Sequence, residues 1–209
     1  VTNHDPHRAL SYYLRKRLEY LEQFNAHFES HLSDEKQNLC MKVSDGELDQ
    51  NNSEIGKIVH HLDFVLGNTH RYTLLVGICS FLEESMKEIT KRLITDYAAQ
   101  IDKEKGNWLR RHIRVLNKST GIDDFKLHDD LKTFHDLICL RNCIVHSWGN
   151  IKEAKSPDEV RAALKGVESA SETKDGYLFL GDQVIPAAII AAENIVDAIM
   201  TSKLGNSII

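Results

Sequence analysis

THRYTLLVGICSFLEESMKEITKRLITDYAA, residues 69–99, decides the fold class of this 209-residue chain. Leu74, Leu75, Ile78, Leu82, Met86, Ile89, Leu93 and Ile94 recur at intervals of three and four, the spacing of one face of an α-helix. Glu83, Glu84, Lys87, Glu88, Lys91 and Arg92 fall on the other faces. The spacing predicts a long core helix over 69–99. Gly77 and Ser80 are small enough to let a partner helix come close.

The same period runs outward on both sides. Towards the N-terminus, Leu10, Tyr13, Leu14, Arg17, Leu18, Leu21, Phe24 and Phe28 predict an amphipathic helix over 8–32, broken by Ser33-Asp34-Glu35 and then by Ser44-Asp45-Gly46. Residues 42–53 are polar and read as a loop. Ser53-Glu54 starts a short helix through Ile55, Ile58, Val59 and Leu62, ending near Gly67-Asn68. Towards the C-terminus, Trp108, Leu109, Ile113, Val115 and Leu116 mark a helix over 104–118, stopped by Thr120-Gly121. Asp123-Asp124 precede a helix over 126–146, where acids suit the positive end of the helix dipole. Ser156-Pro157-Asp158 can start a short helix across 160–167. Tyr177–Leu180 and Gln183–Ile185 read as a β-hairpin turning at Gly181-Asp182, and Pro186 opens a last helix to about Lys203. The expectation is an all-α chain: an N-terminal helical extension (1–68) packed on a helical domain (69–209), with a small β-hairpin before the last helix.

Composition narrows the class of function. With 42% hydrophobic and 27% charged residues and only 3 prolines, the chain is that of an ordinary folded, helix-rich protein. No apolar run approaches the roughly 20 residues of a membrane span, and the polar stretch Val1 to Arg8 shows no signal peptide, so no membrane contact is expected. Cys40, Cys79, Cys139 and Cys143 form no CxxC pair and read as free thiols in a reducing cytoplasm. His60, His61, Asp63 and His70 lack a trusted metal spacing, and His128 and His135 read as structural, so neither a metal nor a cofactor is expected. A net charge of −5 argues against a generic DNA coat. A local basic stretch nevertheless runs from Lys103 to Lys118, with Arg110, Arg111, Arg114 and Lys118 as candidate RNA-binding residues and Trp108 among them. There is no P-loop and no G-x-S-x-G elbow, so NTPase and α/β-hydrolase chemistry lack support.

The chemistry-bearing stretch is Arg141-Asn142-Cys143-Ile144-Val145-His146, at the end of the 126–146 helix and just before Gly149. Asn142 and His146 are four apart and share a helix face. Arg141 is five from His146 and points to the side, though its long guanidinium can reach round. Cutting RNA without a metal needs a base for the 2′-hydroxyl, an acid for the leaving 5′-oxygen and a counter-charge for the phosphorane. His146 suits proton transfer near neutrality, Arg141 offers a permanently charged fork for phosphate oxygens, and Asn142 can hold either group by hydrogen bonds. One histidine does not normally perform both transfers, so a homodimer with both copies of Arg141 and His146 facing one cleft is expected. The competing role is structural: Arg141 and a charged His146 both oppose the dipole at a helix C-terminus.

Leu140-Arg141-Asn142-Cys143-Ile144-Val145-His146, following the Leu74–Glu83 helix, resembles the HEPN superfamily (higher eukaryotes and prokaryotes nucleotide-binding) over roughly residues 70–203. The resemblance implies a four- or five-helix up-and-down bundle that dimerises. It often acts as a metal-independent endoribonuclease in toxin–antitoxin systems, phage defence or RNA processing. It implies catalytic roles for Arg141 and His146, with Asn142 supporting. It also implies an acid on the preceding long helix, Glu83 or its neighbour Glu84, that orients Arg141 or raises the His146 pKa. RNA, a second copy of the chain and an antitoxin or other protein are the partners it implies. The alternative within the same family is a non-catalytic helical module that binds a protein partner or a nucleotide.

Overall fold

The structure is a computed structural model that describes residues 6–46, 53–120 and 128–201. The helices are α1 (Pro6–Ser44), α2 (Ser53–His60), α3 (Asn68–Leu93), α4 (Tyr97–Lys103), α5 (Trp108–Thr120), α6 (His128–Ser147), α7 (Pro157–Leu164) and α8 (Val184–Met200). A π-helical segment, His61–Gly67, joins α2 to α3, and a 3-10 turn, Ile151–Glu153, follows α6. Two short antiparallel strands, β1 (Ala170–Glu172) and β2 (Leu178–Leu180), precede α8. The chain is an all-α bundle with an N-terminal helical extension. No helix among the described residues is long and apolar enough to cross a membrane.

The apolar run in α8 explains its central place. Val184, Ile185, Ala188, Ile189, Ala191, Ala192, Ile195, Val196 and Ile199 are all buried, and the helix touches α1, α3 and α6. Opposite it, α3 supplies Leu75, Ile78, Leu82 and Met86, and α6 supplies Phe134, Leu137 and Leu140, each with almost no exposed surface. Leu14 and Leu18 of α1 enter the same core.

Several boundaries differ from the sequence reading. The first helix does not stop at Ser33-Asp34-Glu35 but runs 39 residues to Ser44. Those three residues are exposed, so they break the apolar pattern without breaking the backbone hydrogen bonds; the stop comes at Gly46, with φ 76°. The long helix ends at Leu93 rather than Ala99, because Ile94 turns extended and Asp96 adopts φ 55° before α4 begins. The stop at Thr120-Gly121 and the Asp123-Asp124 pair fall on or beside residues 121–127, outside the described residues. The hairpin lies before the last helix as expected, but its strands are different. Leu178–Leu180 pairs with Ala170–Glu172, and the turn forms at Asp175-Gly176, where Gly176 has φ 91°. Val184 and Ile185 are fully buried as the first residues of α8 instead.

The start of α3 grips this hairpin. Asn68 Nδ2 donates to the Leu178 carbonyl at 3.1 Å, and its Oδ1 accepts from the Leu180 N–H at 2.9 Å, so one side chain replaces a neighbouring strand. Arg71 Nη1 donates to the Leu180 carbonyl at 3.0 Å, and Tyr72 Oη donates to Leu178. Buried strand carbonyls and amides must find partners once water is excluded, and α3 provides them.

Between α3 and α5, His112 Nδ1 sits 2.9 Å from Thr90 Oγ1, with both residues buried. Burial pushes the imidazole down from 6.5 to about 4, and the Lys87 and Arg111 charges add to the effect. The unfolded chain takes up this proton near pH 6.5, whereas the folded chain resists until about pH 4. Stability is therefore fully present above pH 6.5 and is lost as pH falls towards 4. Burial lowers His70 in the same direction. His112→Gln, which can still bond Thr90, is expected to flatten the fall in Tm between pH 6.5 and 4 measured on the wild type.

Candidate functional site

The last two turns of α6 carry the constellation. Phe134, Leu137, Ile138 and Leu140 face the core, which forces Asn142 and His146, on the opposite face, into solvent. Asn142 and His146 line a cleft of about 510 Å³ with Cys139 and Cys143 of α6. Lys155, Ser156, Glu159 and Val160, around the start of α7, form the other wall.

Arg141 lies round the helix from this cleft, half-buried towards α3. Its Nη1 donates to Asn142 Oδ1 at 3.0 Å, which turns the guanidinium back towards the cleft residues. Its Nε is buried with no partner among the described residues. Leaving a buried donor unpaired costs about 1–3 kcal/mol, so packing alone does not account for this arginine. Arg141, Asn142 and His146 are thus one linked group: a cation bonded to an amide, and an amide sharing a cleft with an exposed imidazole.

Glu83 belongs to this neighbourhood but does not touch Arg141. Its Oε1 lies 3.3 Å from Lys87 Nζ, one turn along α3, while Glu84 pairs with the same lysine at 2.7 Å and is largely exposed. The buried Cys79 thiol feels the charges of both Glu83 and Arg141. Burial pushes its pKa up to about 12, Arg141 pulls it down and Glu83 pushes it up. Cys79 is therefore an inert core thiol.

Most of the basic stretch is engaged within the fold. Arg111 donates from Nε and Nη2 to the Ile101 carbonyl at 3.1 and 3.0 Å and lies 3.3 Å from Asp102. Arg114 donates to the Lys105 carbonyl at 2.8 Å, and Lys118 pairs with Glu104. These cations tie α5 to the segment 101–105 at and just beyond the C-terminal end of α4, where positive charge suits the helix dipole. Arg110 is exposed and lines a groove of about 310 Å³ between α5 and α6, with Arg114, His128, Lys132 and His135 over an apolar floor of Leu109, Ile113 and Leu131. No acid lines that groove among the described residues. Trp108 packs edge-on against Phe134, at 6.4 Å between ring centres, and belongs to the core side of α5.

His60 and His70, near the start of α3, have structural partners. His70 stacks on Phe28 at 3.8 Å, His60 stacks on Phe64 at 4.9 Å, and Asp63 pairs with Lys36.

Comparison with models of known protein families, with curated proteins and with solved structures finds no match to this chain.

A further aromatic, not singled out by the sequence reading, borders the site. Trp148 follows α6 with φ 52° and is 88% exposed. That left-handed conformation costs a bulky residue about 1–2 kcal/mol. The only sequence signal was a tryptophan at the position before Gly149, where a helix stop usually places glycine. The turn is held by Gly149, with φ 77°, whose N–H donates to the Cys143 carbonyl at 3.2 Å and whose carbonyl accepts from Leu178 at 2.8 Å. A Cβ on Gly149 would meet Tyr72 Oη at 2.2 Å. Gly149→Ala is expected to cost about 2–4 kcal/mol by strain and by displacing the Tyr72 hydroxyl from Leu178. Chemical denaturation checks the stability, and the backbone shift should also blunt any activity that depends on His146.

Proposed function

We propose that this chain is a metal-independent endoribonuclease of the HEPN type. The observation that carries the proposal is the Arg141–Asn142 hydrogen bond, at 3.0 Å, beside a cleft that Asn142 shares with the exposed His146. A 2′-hydroxyl attacks the adjacent phosphate as a base removes its proton. The P–O5′ bond breaks as an acid protonates the leaving oxygen, and the products are a 2′,3′-cyclic phosphate and a 5′-hydroxyl end. His146 carries a proton, Arg141 offsets the charge of the phosphorane, and Asn142 fixes the guanidinium relative to the cleft. The second proton carrier is His146 of a second copy, in a homodimer whose two sites form one cleft. Arg110, together with Lys132 in the same groove, holds RNA phosphates away from the cut. A toxin, phage-defence or RNA-processing role, with an antitoxin or other protein as regulator, follows the same resemblance.

Glu83 pairs with Lys87 and forms no ion pair with Arg141 among the described residues, which favours a second reading, a non-catalytic HEPN-like module that binds a protein or a nucleotide. End-mapping decides between them. Wild-type protein incubated with total RNA and tRNA in EDTA is expected to leave cyclic-phosphate ends, whereas His146→Ala leaves the RNA intact. Equal cutting by both proteins places any activity elsewhere, and no cutting by folded, dimeric wild type leaves the binding module.

A further inference from the structure

The turn after α6 sets a tryptophan on a fixed backbone beside the candidate site and leaves its ring in water. Three bonds hold the turn besides the Gly149 pair: Ser147 Oγ donates to the Cys143 carbonyl at 2.8 Å, the Asn150 N–H donates to the Ser147 carbonyl at 2.8 Å, and the Ile151 N–H donates to the Gly176 carbonyl at 2.9 Å, which sets Asn150 opposite Tyr177. Trp148 therefore cannot relax its φ of 52° without breaking the join between α6 and β2. Packing does not repay that conformation, since 88% of the residue is exposed. Nothing structural requires tryptophan there.

Its position is informative. Trp148 is two residues from His146, so their Cα atoms lie within about 7 Å of each other. Arg141, Val145 and Trp148 follow the i, i+4, i+7 spacing, which places a guanidinium, an exposed aliphatic side chain and an exposed indole on one side of the helix end. Tyr177, also exposed, lies on the segment bridged to Asn150. Sequence-tolerant binding of single-stranded nucleic acid uses this combination: a rigid aromatic face for a base and a neighbouring cation for the phosphate.

Resting on the ribonuclease reading above, we infer that Trp148 is a base-stacking platform for the nucleotide beside the scissile phosphate of single-stranded RNA. It positions the strand so that its sugar-phosphate lies over Asn142 and His146. A stable protein interface buries about 800 Å² per side around an apolar centre, whereas the indole shares its side of the helix end with the Arg141 guanidinium, a charge that suits a phosphate.

The test uses the His146→Ala protein, so that RNA stays uncut, with Trp108→Phe to leave Trp148 as the one emitter. Titration with a single-stranded oligoribonucleotide of about a dozen nucleotides is expected to quench the Trp148 emission to saturation. In parallel, with both tryptophans otherwise intact, labelled-RNA anisotropy should show Trp148→Ala binding about tenfold more weakly, with Trp148→Tyr restoring most of the loss. Trp148→Gly should weaken RNA binding equally while leaving Tm unchanged or raised, which a structural role for the indole would not allow. RNA binding with unaltered emission and no effect of Trp148→Ala overturns the inference, as does absence of binding. These readouts do not involve cleavage. Wild-type cutting with an inert Trp148 sinks this inference alone, and RNA stacking without wild-type cutting sinks the ribonuclease reading and reduces Trp148 to a stacking residue with no scissile phosphate beside it.

Discussion

His146→Ala is expected to lower RNA cleavage by about 10²–10⁴-fold, the usual worth of a positioned general acid or base, while leaving Tm within a degree or two of wild type. The stability expectation follows from exposure: the imidazole faces solvent and has no hydrogen-bond or ion-pair partner among the described residues. Arg141→Ala should cost comparable activity through lost charge stabilisation. Arg141→Lys separates fork from charge. Lysine keeps the positive charge but cannot reproduce the planar donor that meets Asn142 Oδ1, so it should recover only a small part of the rate. The measurement is single-turnover cleavage of a labelled RNA, with circular dichroism and thermal melts as the control for folding. Wild-type rates in His146→Ala protein would remove the histidine from the mechanism. If the active unit is a dimer with a shared cleft, mixing inactive His146→Ala and Arg141→Ala proteins tests whether a composite site restores activity, and rates that fall on dilution report its dissociation.

Arg71→Ala carries the largest expected loss of stability, about 3–5 kcal/mol. Arg71 is buried, and its Nε and Nη2 grip both oxygens of Glu29 at 2.7 and 2.6 Å, while Nη1 holds the Leu180 carbonyl. One side chain thus ties α1 and β2 to α3. Truncation leaves a part-buried carboxylate and a buried strand carbonyl without their donor, and that orphaning costs more than the contact itself contributes. At roughly 2–4 °C per kcal/mol for a chain of this size, Tm should drop by about 6–20 °C. The double variant Arg71→Met with Glu29→Leu removes both charges together and should regain most of the loss. If Arg71→Ala melts like wild type, the ion pair is not a clamp. Because β2 also anchors Gly149, the same variant should loosen the turn that bears Trp148.

Helix content was legible in the sequence because it depends on local periodicity. Leu74 to Ile89 keep their spacing whatever they pack against, and every member of the predicted stripe from Leu74 to Ile89 is buried in α3. Helix ends were less legible. Ser33-Asp34-Glu35 resembles a stop, yet a polar run on an exposed face leaves the backbone hydrogen bonds untouched. The hairpin was found but its strands were not, since Val184 and Ile185 suit a strand or a buried helix equally well, and the tertiary fold buried them in α8.

For the site, the sequence placed Asn142 and His146 on one face of α6, because a turn of about 100° per residue allows nothing else. It also placed an arginine one step round the helix. The remaining relations needed the structure. The spacing allowed Arg141 Nη1 to bend back to Asn142 and Glu83 to pair with Lys87 one turn on, but rotamer choice within a helix depends on what the neighbouring helices leave open. That Arg111, Arg114 and Lys118 reach Ile101, Lys105 and Glu104 depends on how α5 packs back against α4. Nor did the sequence mark Trp148, since a tryptophan before a glycine is ordinary until the fold holds it at positive φ with its ring in water. Local periodicity determined the helices and the motif face; burial and long-range hydrogen bonds decided which of the chemically able residues stand together.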